Sequence, residues 1–272
     1  MHLDYYFSLS NSSINEAEFV LLGIPYDRSQ SFKSGSRFAP AAIREASWNF
    51  EEYSFLHKYD LSKVKVCDIG NINCDGSFSD IQKRVSKLIS RLHAIPIAIG
   101  GEHSISYLVA REFCDACYLV FDAHFDLRDE FDGDKFSHAC ITRRIFEEGI
   151  DVIIVGVRSG SGEEIKFAKE NEIHFFSPWD LSISRIVSLL DEYDKVYVSL
   201  DFDVFDPSYA PSVSTPEPFG ISPIDFIKLL DRIPSEIVGF DLVEVIPDGL
   251  KVTQSLAAKL IFEFIASVKS RV

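Results

Sequence analysis

Residues 118–138 read YLVFDAHFDLRDEFDGDKFSH, and this stretch decides the fold. It continues an apolar run that begins at Ala116 and ends at Phe121. A short apolar run bounded by polar residues reads as a buried strand. Polar residues then alternate: Asp122, His124, Asp126. Successive side chains of an extended chain point to opposite faces, so these three fall on one side. Two carboxylates and an imidazole on one face look like metal ligands. The competing reading is a strand end whose polar residues face solvent.

Two further stretches repeat the pattern. Val196–Leu200 is apolar and runs into Asp201, Phe202 and Asp203; Ile95–Ile99 runs into Gly100, Gly101, Glu102 and His103. Open parallel α/β sheets build their sites at the C-terminal ends of strands. The pooled candidates are His103, Asp122, His124, Asp126, Asp201 and Asp203. A tetrahedral zinc takes about four ligands, fewer than this set offers. Carboxylates crowded together without cations repel and raise one another's pKa. Two divalent ions remove that difficulty, and oxygen-rich ligation without thiolates suits Mn²⁺ better than Zn²⁺ or Cu²⁺. Paired ions bridged by hydroxide supply a nucleophile at neutral pH.

Outward from these stretches, the spacing predicts strands over 18–24, 64–69, 95–99, 116–121, 152–157, 173–176, 196–200 and 237–245. Helices are predicted over 40–48, 79–92, 104–111, 138–148, 181–193, 222–233 and 253–268. Ile81, Val85, Leu88, Ile89 and Leu92 recur at helical spacing. Strands alternating with helices give a parallel sheet covered on both faces. The expected class is therefore α/β: a three-layer αβα arrangement around about eight parallel strands. With no linker-like segment or internal repeat, residues 1–272 are expected to form one domain. Gly160-Ser161-Gly162 after the fifth strand lacks the third glycine of a dinucleotide fingerprint.

Composition excludes several classes. A net charge of −15 argues against nucleic acid, which needs a basic footprint. Acidic surface can steer cationic substrates, although most of it simply solvates the fold. The N-terminal MHLDYYFSLS has no basic start and no long apolar stretch, so no secretory signal is expected. No apolar run approaches the ~18 residues of a membrane span. A cytoplasmic location is expected. Five cysteines, an odd number, are expected to be free thiols. Cys114 and Cys117 form a lone CxxC without the second pair of a zinc site.

GGEHS (100–104), DAHFD (122–126), SLDFDVFDPSYAPSVSTPEP (199–218) and DLVEV (241–245) together resemble the ureohydrolase family of arginases and agmatinases. GIPYD (23–27), GSRFAPAAIRE (35–45), CDIGN (67–71) and VGVRSG (155–160) extend the likeness along nearly the whole chain. The resemblance implies the arginase-like fold and two Mn²⁺ per chain, with a metal-bridging hydroxide attacking a guanidinium carbon to release urea. Asp126 would bridge the metals and take the hydroxide proton. His138, in SHACITRR (137–144), would relay protons to the leaving amine, and an imidazole suits that task. Here Ala139, Cys140 and Ile141 replace a usual Gly-Thr-Pro, which bears on substrate preference rather than chemistry. Glu244 would anchor the guanidinium, since carboxylate–guanidinium pairing can be bidentate. After Glu244, IPDGLKV stands where a PPYD-like segment is common. Asp206 is expected to hold its loop, with Thr215 and Glu217 near the metals. The family forms trimers and hexamers, so a homotrimer or homohexamer is expected.

Arginases grip the α-carboxylate and α-amine of arginine through Asn and Ser residues after DAHxD. Arg128, Asp134 and Phe136 stand at those positions here. Asp129, Glu130, Asp132 and Asp134 make the loop acidic, which suits an amine-ended substrate, with Asp134 as a contact. Agmatine, giving putrescine and urea, is the expected substrate. Aminopropylagmatine is the near alternative; arginine, guanidinobutyrate and formimidoylglutamate lie further off. A zinc deacylase of the same fold would use one metal and fewer ligands, and a non-catalytic metabolite-binding relative would not need the full set.

Overall fold

The computed structural model describes residues 6–271. Val272 and the first five residues, which open the stretch read above as free of a secretory signal, lie outside them. In chain order the strands are β1 (Phe19–Ile24), β2 (Tyr53–Ser54), β3 (Tyr59–Asp60), β4 (Val66–Asn71), β5 (Ile95–Gly100), β6 (Cys117–Phe121), β7 (Val152–Val155), β8 (His174–Phe176), β9 (Lys195–Asp201) and β10 (Glu236–Val243). The helices are α1 (Ala39–Ser47), α2 (Phe78–Ile89), α3 (Ser104–Ala110), α4 (Ile141–Glu147), α5 (Gly162–Glu170), α6 (Ile183–Leu190), α7 (Pro223–Leu230) and α8 (Val252–Ser270). Eight strands form one sheet in the order β4-β1-β5-β10-β9-β6-β7-β8, and every neighbouring pair is parallel. β2 and β3 make a separate antiparallel hairpin.

An all-parallel sheet is covered on both faces, so its strands are apolar throughout. β6 shows how this works. Leu119 and Phe121 pack into one apolar cluster, while Tyr118 and Val120 pack into another. The first cluster includes Phe262, Phe264 and Ile265 of α8 and Phe226 of α7; the second includes Ile81 and Val85 of α2 and Ile105 and Leu108 of α3. These are the outer layers of the three-layer αβα fold.

Helix starts follow capping chemistry. Ser77 with Asp80, Ser161 with Glu164 and Ser222 with Asp225 form reciprocal capping boxes at α2, α5 and α7. The box at α5 opens a helix not among those predicted: Ser161 caps it and Glu164 lies in its first turn. β7 ends at Val155, two residues before its expected end, because Gly156 has φ +100°. A Cβ there would meet Val204 Cγ2 at 2.3 Å. Residues 138–140 form a 3-10 turn before α4, not the first turn of an α-helix.

A charged knot ties the β2–β3 hairpin to α7 and α8. His57 Nδ1 lies 2.9 Å from Glu263 Oε2 and Nε2 lies 2.8 Å from Asp231 Oδ1. Burial opposes the His57 charge, but its hydrogen bonds to the Asp231 and Glu263 carboxylates raise its pKa to about 9. Burial likewise opposes ionisation of Glu263, yet His57, Lys259 and Ser54 lower it to about 2. His57 therefore stabilises the fold fully below its unfolded value of about 6.5, and the contribution fades as pH rises through 9. The Glu263 contribution is complete above its ordinary value and fades as pH falls toward 2. His57→Gln should lower the melting temperature most between roughly pH 4.5 and 6.5 and least above pH 9. Melting curves with a pH-independent deficit would refute the ion-pair account.

Candidate metal centre and catalytic site

β5, β10, β9 and β6 are consecutive neighbours in the sheet, so their C-terminal ends lie side by side. His103 follows β5, Asp122 follows β6, Asp201 ends β9 and Glu244 follows β10. Gly101 lets the chain pass Tyr26 between β5 and His103: a Cβ there would lie 2.0 Å from the Tyr26 carbonyl oxygen.

The candidates converge, but not by strand alternation. β6 stops at Phe121 and β9 at Asp201, and the chain turns at once. Asp122 Oδ1 accepts the His124 N–H at 2.6 Å, and Asp201 Oδ1 accepts the Asp203 N–H at 2.9 Å. Each first carboxylate thus holds the turn that delivers the next candidate. Asp126 reaches the group from a left-handed conformation, φ 51°. Its backbone carbonyl accepts the Arg143 N–H at 3.1 Å.

Two sets of ligand-type atoms result. His103, Asp122 and Asp126 form one, and Asp122, His124 and Asp203 form the other; Asp122 is common to both. His103 Nδ1 lies 3.0 Å from Asp122 Oδ2, 2.9 Å from Asp126 Oδ2 and 3.3 Å from Asp201 Oδ2. His124 Nδ1 lies 3.0 Å from Asp203 Oδ2. His103 Nδ1 and Asp122 Oδ2 are buried and make no well-directed hydrogen bond. Buried polar atoms are almost always satisfied, so two such orphans 3.0 Å apart suit a shared metal ion. Oxygen-rich donors with two imidazoles fit a pair of hard divalent cations.

The electrostatics agree. Burial, then the like charge of Asp122, raises Asp126 to about 7. Burial, then Asp203 and Asp122, pushes Asp201 well up. Burial opposes charge on His103, but Tyr118 and the Asp122 and Asp126 carboxylates hold it well above its ordinary range. Protons therefore balance this cluster wherever cations do not.

Deeper groups aim the imidazoles. His103 Nε2 meets Tyr118 Oη at 3.3 Å and Ser199 Oγ at 3.4 Å. Ser199 gives its own proton to the buried Asp241 at 2.7 Å, and Tyr197 and Ser106 donate to the same carboxylate. Nδ1 is thereby left free for the cluster. Arg158 fixes the second turn: its guanidinium donates to the carbonyls of Gly156, Asp203, Val204, Glu217 and Pro218 at 2.6–3.1 Å. Asp206 holds its own loop through the N–H groups of Ser208 and Phe219.

Glu244 also has left-handed backbone, φ 67°. Its Oε1 accepts the His103 N–H at 2.6 Å and its Oε2 accepts Gln30 Nε2 at 2.7 Å. His138 stands across the cleft with Ser31 Oγ 3.3 Å from Nε2. Burial lowers its pKa, aided by His103 and His124 and opposed by Glu102. The cleft holds about 310 Å³ and is lined by all the candidate ligands except Asp122, and by Glu244, His138, Thr215, Phe131, Arg128 and Glu164.

Asp134 does not line it. Its carboxylate accepts the Phe136 N–H at 2.8 Å and so closes its own exposed turn. Of the loop's acidic residues, Asp129 pairs with Lys135, Arg143 and Arg144. The structure thus places Asp134, expected as a substrate contact, in the loop outside the residues that line the cleft. Arg128 is the loop residue at the cleft, over the Phe131 ring and 3.7 Å from Glu164 Oε2.

The arginase-family model matches residues 17–266. The chain is 38% identical to an agmatinase of Pyrococcus horikoshii, with 93% of each chain covered. It is also 38% identical to an N(1)-aminopropylagmatine ureohydrolase of Thermococcus kodakarensis, covering 93% of this chain and 91% of that one. The chain belongs to the arginase family. A solved agmatine ureohydrolase of Thermoplasma volcanium superposes with a TM-score of 0.92 at 35% identity, over 99% of this chain and 96% of that one. The arginase-like fold expected from the motifs is the fold found, and the chain is an agmatinase-like ureohydrolase.

Sequence reasoning missed the groups around the ligands of this arginase-family site. Gln30, Ser29 and Ser31 come from an irregular polar segment with no periodic signal. Asp241 and Ser199 lay inside quoted motifs, where nothing distinguishes a supporting residue from a ligand.

Because protons and cations compete for the cluster, metal affinity should fall as pH drops below about 7, the value at Asp126. Titration calorimetry of chelator-stripped protein should count two ions per chain. Proton release should appear as a dependence of the heat on buffer ionisation enthalpy. Affinity independent of pH between 5.5 and 8 would contradict the balance described here.

Proposed function

We propose that this ureohydrolase hydrolyses agmatine to putrescine and urea using two Mn²⁺ ions. The observation that carries the reading is Glu244: a buried carboxylate that lines the cleft beside the ligand cluster. A carboxylate offers about four lone-pair sites. His103 N–H, Gln30 Nε2 and the Ser214 hydroxyl engage three of them, which leaves one for a guanidinium N–H, a charge-assisted hydrogen bond. His103, Asp122, His124, Asp126, Asp201 and Asp203 would hold the ions, which would supply Lewis acidity and a hydroxide nucleophile at neutral pH.

The chain's own residues do the rest. Glu244 orients the guanidinium with its carbon toward the cluster. Asp126, which lines the cleft within the cluster, would take the proton released when water adds. His138 passes a proton to the departing amine, so guanidinium and water leave as neutral urea and an ammonium ion. Thr215 and Phe131 line the path.

Two features support an amine-ended substrate. The Asn and Ser contacts for an α-carboxylate are replaced by Arg128, Asp134 and Phe136. Arg128 also sits against the buried Glu164, whose negative charge offsets the attraction that Arg128 would offer a substrate carboxylate. A longer substrate, N1-aminopropylagmatine, is the second reading. It is favoured by the Thermococcus relative, which matches as well as the agmatinase does.

Urea release should favour agmatine over arginine by at least about tenfold in kcat/KM, or about 1.4 kcal/mol. A screen that included aminopropylagmatine, guanidinobutyrate and formimidoylglutamate would separate the readings, and a carboxylate-ended winner would overturn both. His138→Ala should lower kcat by roughly 10²–10⁴ without loss of metal. Near-normal turnover by that variant would remove His138 from the reaction.

A further inference from the structure

Glu102 is completely buried beside the site, yet neither the ligand cluster nor the substrate anchor uses it. Three donors converge on its carboxylate: Ser104 Oγ at 2.6 Å, Ser29 Oγ at 2.7 Å and the Ser29 N–H at 2.8 Å. Ser29 is itself shared. Its Oγ accepts the His138 N–H at 2.9 Å and lies 3.1 Å from His138 Nδ1. Ser137 Oγ approaches the same ring nitrogen more loosely, at 3.3 Å.

A hydroxyl has one proton and two acceptor positions. The Ser29 proton goes to Glu102, and the His138 N–H fills one acceptor position. What Ser29, the nearer hydroxyl, turns to Nδ1 is its remaining lone pair, so this contact selects the form with the hydrogen on Nδ1. A neutral imidazole protonated on Nδ1 is bare at Nε2. Nε2 points toward Ser31, a lining residue of the cleft. The Phe131 ring stands edge-to-face with the imidazole, centroids 5.8 Å apart, and limits its rotation.

We propose that Glu102 and Ser29 are positioning residues for His138, fixing its Nδ1–H tautomer so that Nε2 is the proton-exchanging atom in the cleft. The proposal rests on the reading of His138 as proton carrier. Ser29 then acts without touching substrate. It decides which nitrogen is basic, and when Nε2 takes up a proton, Nδ1–H already donates into a chain that ends on a carboxylate. Ring orientation and tautomer are set by what the second nitrogen meets, as in other histidine acid–base groups.

The test is long-range ¹H–¹⁵N NMR on full-length, ¹⁵N-histidine-labelled protein. Mg²⁺ replaces Mn²⁺ to avoid paramagnetic broadening, and His138→Ala assigns the resonance. Wild type should show the Nδ1–H form. Ser29→Ala should lose that preference, and Ser29→Thr should restore it. In parallel, with agmatine and Mn²⁺, Ser29→Ala should lower kcat by about tenfold or more, part of the 10²–10⁴ assigned to an acid–base group. KM should stay within about twofold and metal content should be unchanged, with Ser29→Thr again rescuing. Glu102→Gln should disturb the tautomer in the same direction. An Nε2–H tautomer in wild type, or an unchanged tautomer in both Ser29→Ala and Glu102→Gln, would overturn the proposal. Failure of the proton-carrier reading would show separately, as full activity of His138→Ala with the wild-type tautomer intact.

Discussion

Like charge buried in close quarters is the constraint on which this structure depends. Asp122, Asp126, Asp201 and Asp203 are all buried around His103 and His124. Two unit charges 4 Å apart interact by about 4 kcal/mol at the effective dielectric of a protein site. A few such repulsions rival the whole stability of an ordinary domain, about 5–15 kcal/mol. The group persists only with counter-charge, from protons or from cations, and only if its backbone cannot spread. Asp122 and Asp201 cap the turns that follow them, Arg158 gathers five carbonyls at the second turn, and Asp241 anchors the network behind His103. Each supporting group stops a repelling carboxylate from moving away.

The same constraint explains where the backbone is strained. Asp126 and Glu244 both lie in the left-handed region, which costs a non-glycine residue roughly 1–2 kcal/mol. Neither residue is free to relax. The Glu244 N–H donates to the Gly101 carbonyl at 2.8 Å, and its own carbonyl accepts the Ser214 N–H at 3.2 Å. The loops after β5 and β10 are therefore bound to each other beside the site. The strain turns the Glu244 carboxylate back over the strand ends, where extended backbone would carry it outward. Glycine would relieve that strain and remove the function together.

How much of this was legible depended on how local the signal is. β6 and β9 could be read because a parallel strand is apolar on both faces, and their polar ends stood out against that. The six candidate ligands followed from the same contrast, although the reason given for their convergence, strand alternation, gave way to capped turns. α5 was missed because glycines at 160 and 162 hid a capping box between Ser161 and Glu164. Charge counted along a chain does not reveal pairing in space: Asp129 finds Arg143 and Arg144 on a helix more than a dozen residues away, while Asp134 accepts the N–H of its own turn. Ser29 and Gln30 were invisible for the same reason, since their partners Glu102 and Glu244 are 73 and 214 residues distant.

The two ends of the cleft are therefore built on different principles. The reacting end is fixed by four adjacent strand ends and by backbone hydrogen bonds between their loops. The far end consists of side chains: Arg128 stacked on Phe131 and leaning on Glu164, which is itself held by capping α5 and by accepting the Leu127 N–H. Substitution at Arg128 or Phe131 alters what meets the substrate tail without moving a candidate ligand. Substitution at Glu164 is different, because it would unseat both α5 and the loop that carries Asp126. Substrate range can therefore drift through the first two positions, while Glu164 is tied to the integrity of the reacting end.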